Sequence, residues 1–211
     1  MEKKIAEFIG IMIGDGSIGI YNCKAGNRIK KHRVVKVSLD SRNEQYTNHV
    51  ANIMKEVLGI EPKIHYKKNE HAVDICIYKK GVFKHVTEKI GLKKSPKWNT
   101  MKIPKKQMNC LLSCFVLRGL FDTDGCLSIF NNNGILYPRI EIKMCPSPAQ
   151  KQVSEILNNL KIRHTIQNLE KGKTRIRISG KEELGKWFNF IGSSNIIHIE
   201  KAEKILKRKV L

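Results

Sequence analysis

Two aspartates, Asp15 and Asp124, each close an apolar segment and are each followed by glycine. A helix that stops there presents partial negative charge at its end, which disfavours an anion by roughly 0.3–1 kcal/mol. If two such helices pack together, their carboxylates come within a few ångströms. That pair is stable only if one group takes up a proton or a cation sits between them. A divalent cation resolves the conflict. Oxygen ligands suit Mg²⁺, which keeps several waters and contacts one or two carboxylates plus a phosphate oxygen. The carbonyls of Gly14 and Thr123 are expected to add further oxygens. A calcium loop is excluded: Asp122-Thr123-Asp124-Gly125 imitates its start, but the twelfth position is Asn133, where a bidentate Glu is required.

The segments that must position these acids read as helices. Ile5, Phe8, Ile9 and Met12 recur at helical spacing, as do Leu112, Val116, Leu117 and Leu120. Gly10 and Gly14 in one, and Gly119 and Thr123 in the other, lie four apart on one face. A glycine inside a helix costs about 1 kcal/mol relative to alanine, so a compensating close approach of two helix backbones is expected. A lone Asp-Gly pair is a common helix stop. Two copies, each with the same small-residue face and the same following strand, need another explanation.

The chain is an internal repeat. Asp15 to Asn22 matches Asp124 to Asn131, Val57-Leu58-Gly59-Ile60 matches Asn159-Leu160-Lys161-Ile162, and Glu88 to Gly91 matches Asn189 to Gly192. After each opening helix come strands (Ser17 to Asn22 and Val34 to Leu39; Cys126 to Asn131 and Arg139 to Met144) and a helix (Asn43 to Leu58; Ala149 to Leu160). Further strands follow (Lys63 to Tyr66 and Ala72 to Tyr78; Thr165 to Leu169 and Arg175 to Ser179), then a helix (Val82 to Ile90; Glu183 to Ile191). The expected class is α+β, with two pseudo-symmetric αββαββα repeats over residues 1–92 and 105–211, joined by a polar linker at 93–104. A basic helix from Ile199 to Lys209 is expected to close the chain.

Composition narrows the partner. The 211 residues carry 40 Lys and Arg against 19 Asp and Glu, a formal charge of +21. Such an excess favours a polyanion, because each neutralised phosphate releases condensed counterions. At 41% hydrophobic residues the chain should fold. It lacks both a long apolar run and a secretory core at its start, so it reads as soluble and intracellular, without a membrane partner. Cys23, Cys76, Cys110, Cys114, Cys126 and Cys145 show no metal spacing and read as reduced core residues. Trp98 and Trp187 are expected to serve packing.

Taken together, these residues resemble the LAGLIDADG homing endonucleases. Leu117 to Gly125 matches the motif closely, and the two-fold repeat extends the likeness over nearly the whole chain. In the first copy Ile13 replaces the first motif aspartate, while Asp15 keeps the position that carries catalysis. The resemblance implies a monomer whose two antiparallel sheets form a saddle over double-stranded DNA, with both strands cut across the minor groove. It implies Asp15 and Asp124 as the metal-binding acids and Asp122 as structural support. Mg²⁺ is the expected cofactor, with Mn²⁺ as a substitute and Ca²⁺ supporting binding without cleavage. One ion would activate the attacking water and another would stabilise the leaving 3′ oxygen.

A basic group near each scissile phosphate would stabilise developing charge. Lys36 lies opposite Val35 and Val37, and Lys143 opposite Ile142 and Met144. Aligned by facing, the two are equivalents in the region where the family places its core basic residues. Base readout is expected from Tyr21, Asn22, Lys24, Asn27, Arg28, Lys30 and Arg33, and from Asn131, Asn132, Arg139, Arg175 and Arg177. Because the halves differ at these positions, the expected target is long and asymmetric. The rival reading is a catalytically inactive RNA maturase, with intron RNA as partner, or a DNA-binding regulator on the same fold. An intein fits less well, since neither a Cys or Ser nucleophile at the start nor a His-Asn end is present.

Overall fold

The computed structural model describes residues 1–26 and 28–207, without the side chains of Cys23, Ala25, Asn132 and Lys171. Two of the expected DNA contacts, Asn27 and the side chain of Asn132, therefore lie outside the described residues, as does the expected end of the basic helix at Lys209.

Each half is built around one antiparallel sheet. In the first, helix α1 (Glu2–Ile13) leads into β1 (Gly16–Ala25) and β2 (Arg28–Asp40), followed by α2 (Glu44–Leu58), β3 (Lys63–Tyr66) and β4 (Ala72–Ile77). A short α3 (Lys80–Lys84) continues as a π-helical turn over His85–Ile90, where one regular helix was expected from Val82. After a 3₁₀ turn at Lys105–Met108 the order recurs. It runs α4 (Cys110–Asp124), β5 (Gly125–Asn132), β6 (Ile135–Met144), α5 (Pro148–Asn159), β7 (Thr165–Asn168), β8 (Thr174–Ser179) and α6 (Lys181–Phe190). The last helix, α7 (Ile196–Leu206), begins three residues before the expected Ile199 because Asn195 caps it, accepting from the Ile197 amide at 3.1 Å.

Among the described residues the strands form two sheets, ordered β1-β2-β4-β3 and β5-β6-β8-β7, with every pairing antiparallel. The fold is α+β. Strand period fixes which side chains the helices cover: Val35, Val37, Ile75 and Ile77 are buried in one half, and Ile140, Ile142, Ile176 and Ile178 in the other. The opposite face of each sheet carries the charges. The β1–β2 hairpin runs past the core, and out there even residues of core parity, Ile20 and Ile29, are exposed.

The halves meet through α1 and α4. A Cβ on Gly10 would lie 2.1 Å from the Val116 carbonyl oxygen, and one on Gly119 would lie 2.3 Å from that of Glu7. Backbone thus packs on backbone, as the small-residue faces predict. A second clamp comes from the loop before α7. There Ser194 Oγ donates to Glu7 at 2.7 Å, and the Asn43 amide donates to Asn195 Oδ1 at 2.9 Å, tying the end of the chain to the first half.

Two cysteines depart from the core expectation. Cys76 and Cys114 are buried, but Cys110 and Cys126 are exposed and Cys145 is half-buried; all five are unpaired. Cys110 begins α4 and Cys126 faces away from the covered side of β5, so neither position points inward.

Candidate active site

Because α1 and α4 cross through their glycines, their C-terminal ends emerge side by side. Thr123 fits against Gly14, where a Cβ would come 2.1 Å from the Thr123 hydroxyl and 3.4 Å from the Asp124 carboxyl carbon. The Thr123 side chain is turned back on its own helix and donates to the Gly119 and Leu120 carbonyls at 3.0 and 3.1 Å. Asp15 follows α1 and Asp124 ends α4, so both carboxylates stand at this junction, partly withdrawn from water.

Their ionisation reflects that setting. Burial, and then the facing Asp124 carboxylate, push Asp15 up to about 7 against the pull of Lys97. Burial likewise lifts Asp124 to about 6, with Lys97 opposing. Near neutral pH the pair retains a proton unless a cation takes its place.

Lys97 was not distinguishable in sequence from its neighbours Lys93, Lys94 and Lys102. Its ammonium lies across the end of α1, donating to the Met12, Gly14 and Gly16 carbonyls at 2.5, 2.9 and 2.6 Å. Burial lowers it to about 8, while Asp124 and Asp15 favour its charged form. The one available signal was negative: α1 has no basic residue in its last turn, so its carbonyls needed a donor from elsewhere. The Gly14 carbonyl, expected to face a metal freely, is thus shared with Lys97. The linker folds back over the helix end and brings an ammonium to it.

Two cavities flank the junction. One, of 480 Å³, is lined by Asp124, Thr123, Lys97, Trp98, Lys143 and Lys173. The other, of 440 Å³, is lined by Asp15, Asp40, Arg42, Tyr46, Thr123 and His198. The first is strongly basic. In the second, Arg42 is held by Asp40 at 2.5 Å and the buried Tyr46 hydroxyl meets no hydrogen-bond partner among the described residues. A divalent metal fits the donor chemistry at the junction, because the carboxylates and main-chain carbonyls there are all hard oxygen donors. No three or more His, Cys, Asp or Glu side chains are grouped so as to hold a metal ion among the described residues, so water and phosphate would complete the coordination. Asp122 lines the second cavity with Asp15, but it is buried and its carboxylate is engaged, accepting from Ser193 Oγ at 2.5 Å and the Ser194 amide at 2.6 Å.

The strand registers correct the pairing of Lys36 with Lys143. Both lie on the uncovered face, but Gly16 pairs with Val37 and Gly125 with Ile142. Counting from the matched glycines, Lys36 is level with Glu141, and Lys143 with Ser38. Facing repeats every two residues, so an alignment by facing leaves the register open by two. The two halves also balance charge in opposite ways. Asp74 accepts from Lys36 at 3.2 Å and from Ser38 at 2.6 Å, whereas Glu141 is held by Arg177 at 2.8 Å and Arg175 at 3.5 Å.

The expected DNA contacts divide by parity. Tyr21, Arg28 and Lys30 pair from the same side as Lys36, and Arg139, Arg175 and Arg177 from the same side as Lys143. The Arg139 guanidinium lies over the Phe130 ring at 4.1 Å. Asn22, Lys24 and Arg33 fall on the other parity, on the exposed outer hairpin. Asn131 closes its own hairpin, accepting from the Gly134 amide at 2.9 Å. Sequence reasoning passed over His32, His65 and Tyr78, which line a 480 Å³ hollow with Tyr21 and Lys36. The alternation of Lys63 and His65 in β3 was the available sign.

Likeness to known proteins extends over most of the chain. Residues 6–188 match the family described as the LAGLIDADG DNA endonuclease family. A DNA polymerase of Thermococcus kodakarensis is 27% identical over 204 residues; the match takes in 88% of this chain but spans only 11% of the polymerase. The fold is similar to the crystal structure of I-DmoI in complex with DNA and Mn, with TM-score 0.63 and 21% identity, covering 92% of this chain and 98% of that one. It is also similar to the homing endonuclease I-LtrWI bound to target DNA, with TM-score 0.67 and 12% identity, covering 98% and 91%. At these identities the likeness to the solved structures is one of fold.

Proposed function

The chain belongs to the LAGLIDADG DNA endonuclease family, and on that premise we propose that it is a site-specific, divalent-metal-dependent endonuclease that cuts both strands of a long asymmetric DNA target. The observation that carries this reading is the pair Asp15 and Asp124. Both acids are present, and both are raised by their mutual burial into a state that a cation relieves.

Asp15 and Asp124 would hold the metal, with the Gly14 and Thr123 carbonyls alongside, and the bound metal would supply charge stabilisation at phosphate and an activated water. Lys97 keeps a positive charge beside both acids and lowers the cost of bringing a phosphate close. Lys143 and Lys173 extend that charge along the Asp124 cavity, where a phosphate backbone would lie. Lys36, tied to Asp74, stands nearer the first sheet's readout face. Tyr21, Asn22, Lys24, Asn27, Arg28, Lys30, Arg33, Asn131, Asn132, Arg139, Arg175 and Arg177 remain the proposed readout set. Those on the uncovered parity reach base edges, and the rest hold the backbone. A single chain carries both half-sites and acts as a monomer, with Mg²⁺ as the working ion, Mn²⁺ as a substitute and Ca²⁺ supporting binding alone.

The test is cleavage of a plasmid pool in Mg²⁺, read by sequencing the cut ends, with EDTA and Asp124→Asn controls. Cutting at one long asymmetric site, lost in both controls, is expected. DNA binding without cutting across a pool that contains the bound sequence would instead assign the protein as a binder.

A further inference from the structure

The two tryptophans are treated differently. Trp187 is fully buried; its Nε1 donates to the Gly192 carbonyl at 3.2 Å and its ring meets Phe121 at 5.1 Å between centroids. Trp98, expected to pack, is 66% exposed. Among the described residues no ring or cation stacks on it and no acceptor meets its indole N–H.

Its support is nevertheless tightly fixed. The preceding residue, Lys97, is anchored on three carbonyls at the end of α1. The Lys97 carbonyl accepts from the Thr100 and Met101 amides at 3.2 and 2.9 Å, closing a turn around Trp98. Met101 is buried and its carbonyl accepts from the Ala149 amide at 2.9 Å. A bare indole is therefore held on a rigid turn, at the mouth of the cavity that contains Asp124, Lys143 and Lys173. An aromatic face beside lysines, next to a phosphate-handling site, matches the chemistry of a nucleotide: the lysines meet the backbone and the ring meets base or sugar.

We propose that Trp98 is a DNA-contacting residue, whose indole packs against a nucleotide beside the phosphate handled at Asp124. The assignment rests on the endonuclease reading. It also goes further, since the contact is one-sided. Counting from the matched glycines Gly91 and Gly192, the second-half position equivalent to Trp98 is Ile199, inside α7. The linker turn that carries it has no second copy among the described residues, and this preorganised turn lets the indole make the contact without ordering a loop.

The test uses the full chain and a pool of mixed-sequence duplexes in EDTA, so that nothing is cut. A mobility shift establishes binding independently. At saturating DNA the acrylamide quenching of tryptophan emission should fall, and this change should vanish in Trp98→Phe, where Trp187 alone reports. Trp98→Ala should weaken binding about 5- to 150-fold, the range expected for one lost stacking contact, while Trp98→Phe restores most of it. Quenching that stays unchanged in a complex seen by mobility shift, or wild-type affinity in Trp98→Ala, would overturn the proposal. A wild-type chain that shifts no duplex would overturn the endonuclease reading itself, and this inference with it.

Discussion

Gly10 on α1 and Gly119 on α4 occupy reciprocal positions, each lying against the other helix's backbone between residues 116 and 120 or 7 and 11. The approach leaves no room for a methyl group on either side, and both acids depend on it for their position. Gly119→Ala should destabilise the protein by about 1–3 kcal/mol through overpacking, lowering the melting midpoint by roughly 2–4 °C per kcal/mol, and should reduce cutting disproportionately. Gly81→Ala, in α3 with open space around its Cβ, is the control and should be neutral or slightly stabilising.

The acid pair is a stability liability in the absence of metal. The folded-state value of Asp15, about 7, lies above its ordinary 3.8, so the folded state binds this proton more tightly than the unfolded one. The destabilisation is full above about pH 7 and disappears as pH falls toward 4. In EDTA, Asp15→Asn should therefore be more stable than wild type by about 1–3 kcal/mol at pH 8, with the gap narrowing at pH 5. Thermal melts at the two pH values check this. The same variant should bind DNA and fail to cut it.

Lys97 should matter for both folding and cleavage. Lys97→Met leaves three carbonyls without their donor and removes a cation that opposes the rise of both acids. Cutting should fall by about 10²–10³-fold, the scale of losing one stabilising donor at a reacting charge. Lys97→Arg should not rescue it, because a planar guanidinium cannot converge on three carbonyls as a compact ammonium does. Single-turnover cleavage of the recovered site is the measurement.

The clamp between halves predicts an acid-sensitive step at Glu7. Burial alone would raise this carboxyl, but hydrogen bonds from His49 and Ser194, both at 2.7 Å, outweigh it and hold the group below its ordinary 4.5. The stability it contributes is present above about pH 4.5 and is lost as pH falls through the lower folded value. Glu7→Gln should be less stable than wild type at pH 7 by about 1–3 kcal/mol, and the difference should shrink toward pH 3. Denaturant titrations at intervals between those values would show it.

The register of the two sheets separates Lys36 from Lys143. Since Lys143 lines the Asp124 cavity and Lys36 is engaged by Asp74, Lys143→Ala should slow cutting of one strand at least tenfold, about the effect of losing 1.4 kcal/mol at the transition state. Lys36→Ala should act mainly on affinity. Strand-specific end labels distinguish the two; equal slowing of both strands by Lys143→Ala would remove it from the Asp124 site.

Much of this protein is legible in its sequence. The repeat, the αββαββα order, the helix ends at Asp15 and Asp124 and the small-residue faces at Gly10 and Gly119 all follow from local patterns. Helical spacing, strand alternation and turn chemistry are set by neighbours in the chain, and a repeated motif doubles a signal too weak in one copy. What depended on distant contacts was not legible. Facing shows which side a strand residue occupies, but only cross-strand pairing shows that Lys36 stands level with Glu141 and Lys143 with Ser38. Lys97 is one lysine of many until the linker folds back over the end of α1. Ser193, Ser194 and Asn195 are an unremarkable polar run until they reach Asp122, Glu7 and Asn43. Trp98 reads as packing until the fold leaves it bare. Local geometry therefore determined the elements and the two acids, while the chain's long-range closure decided which charges and rings surround them.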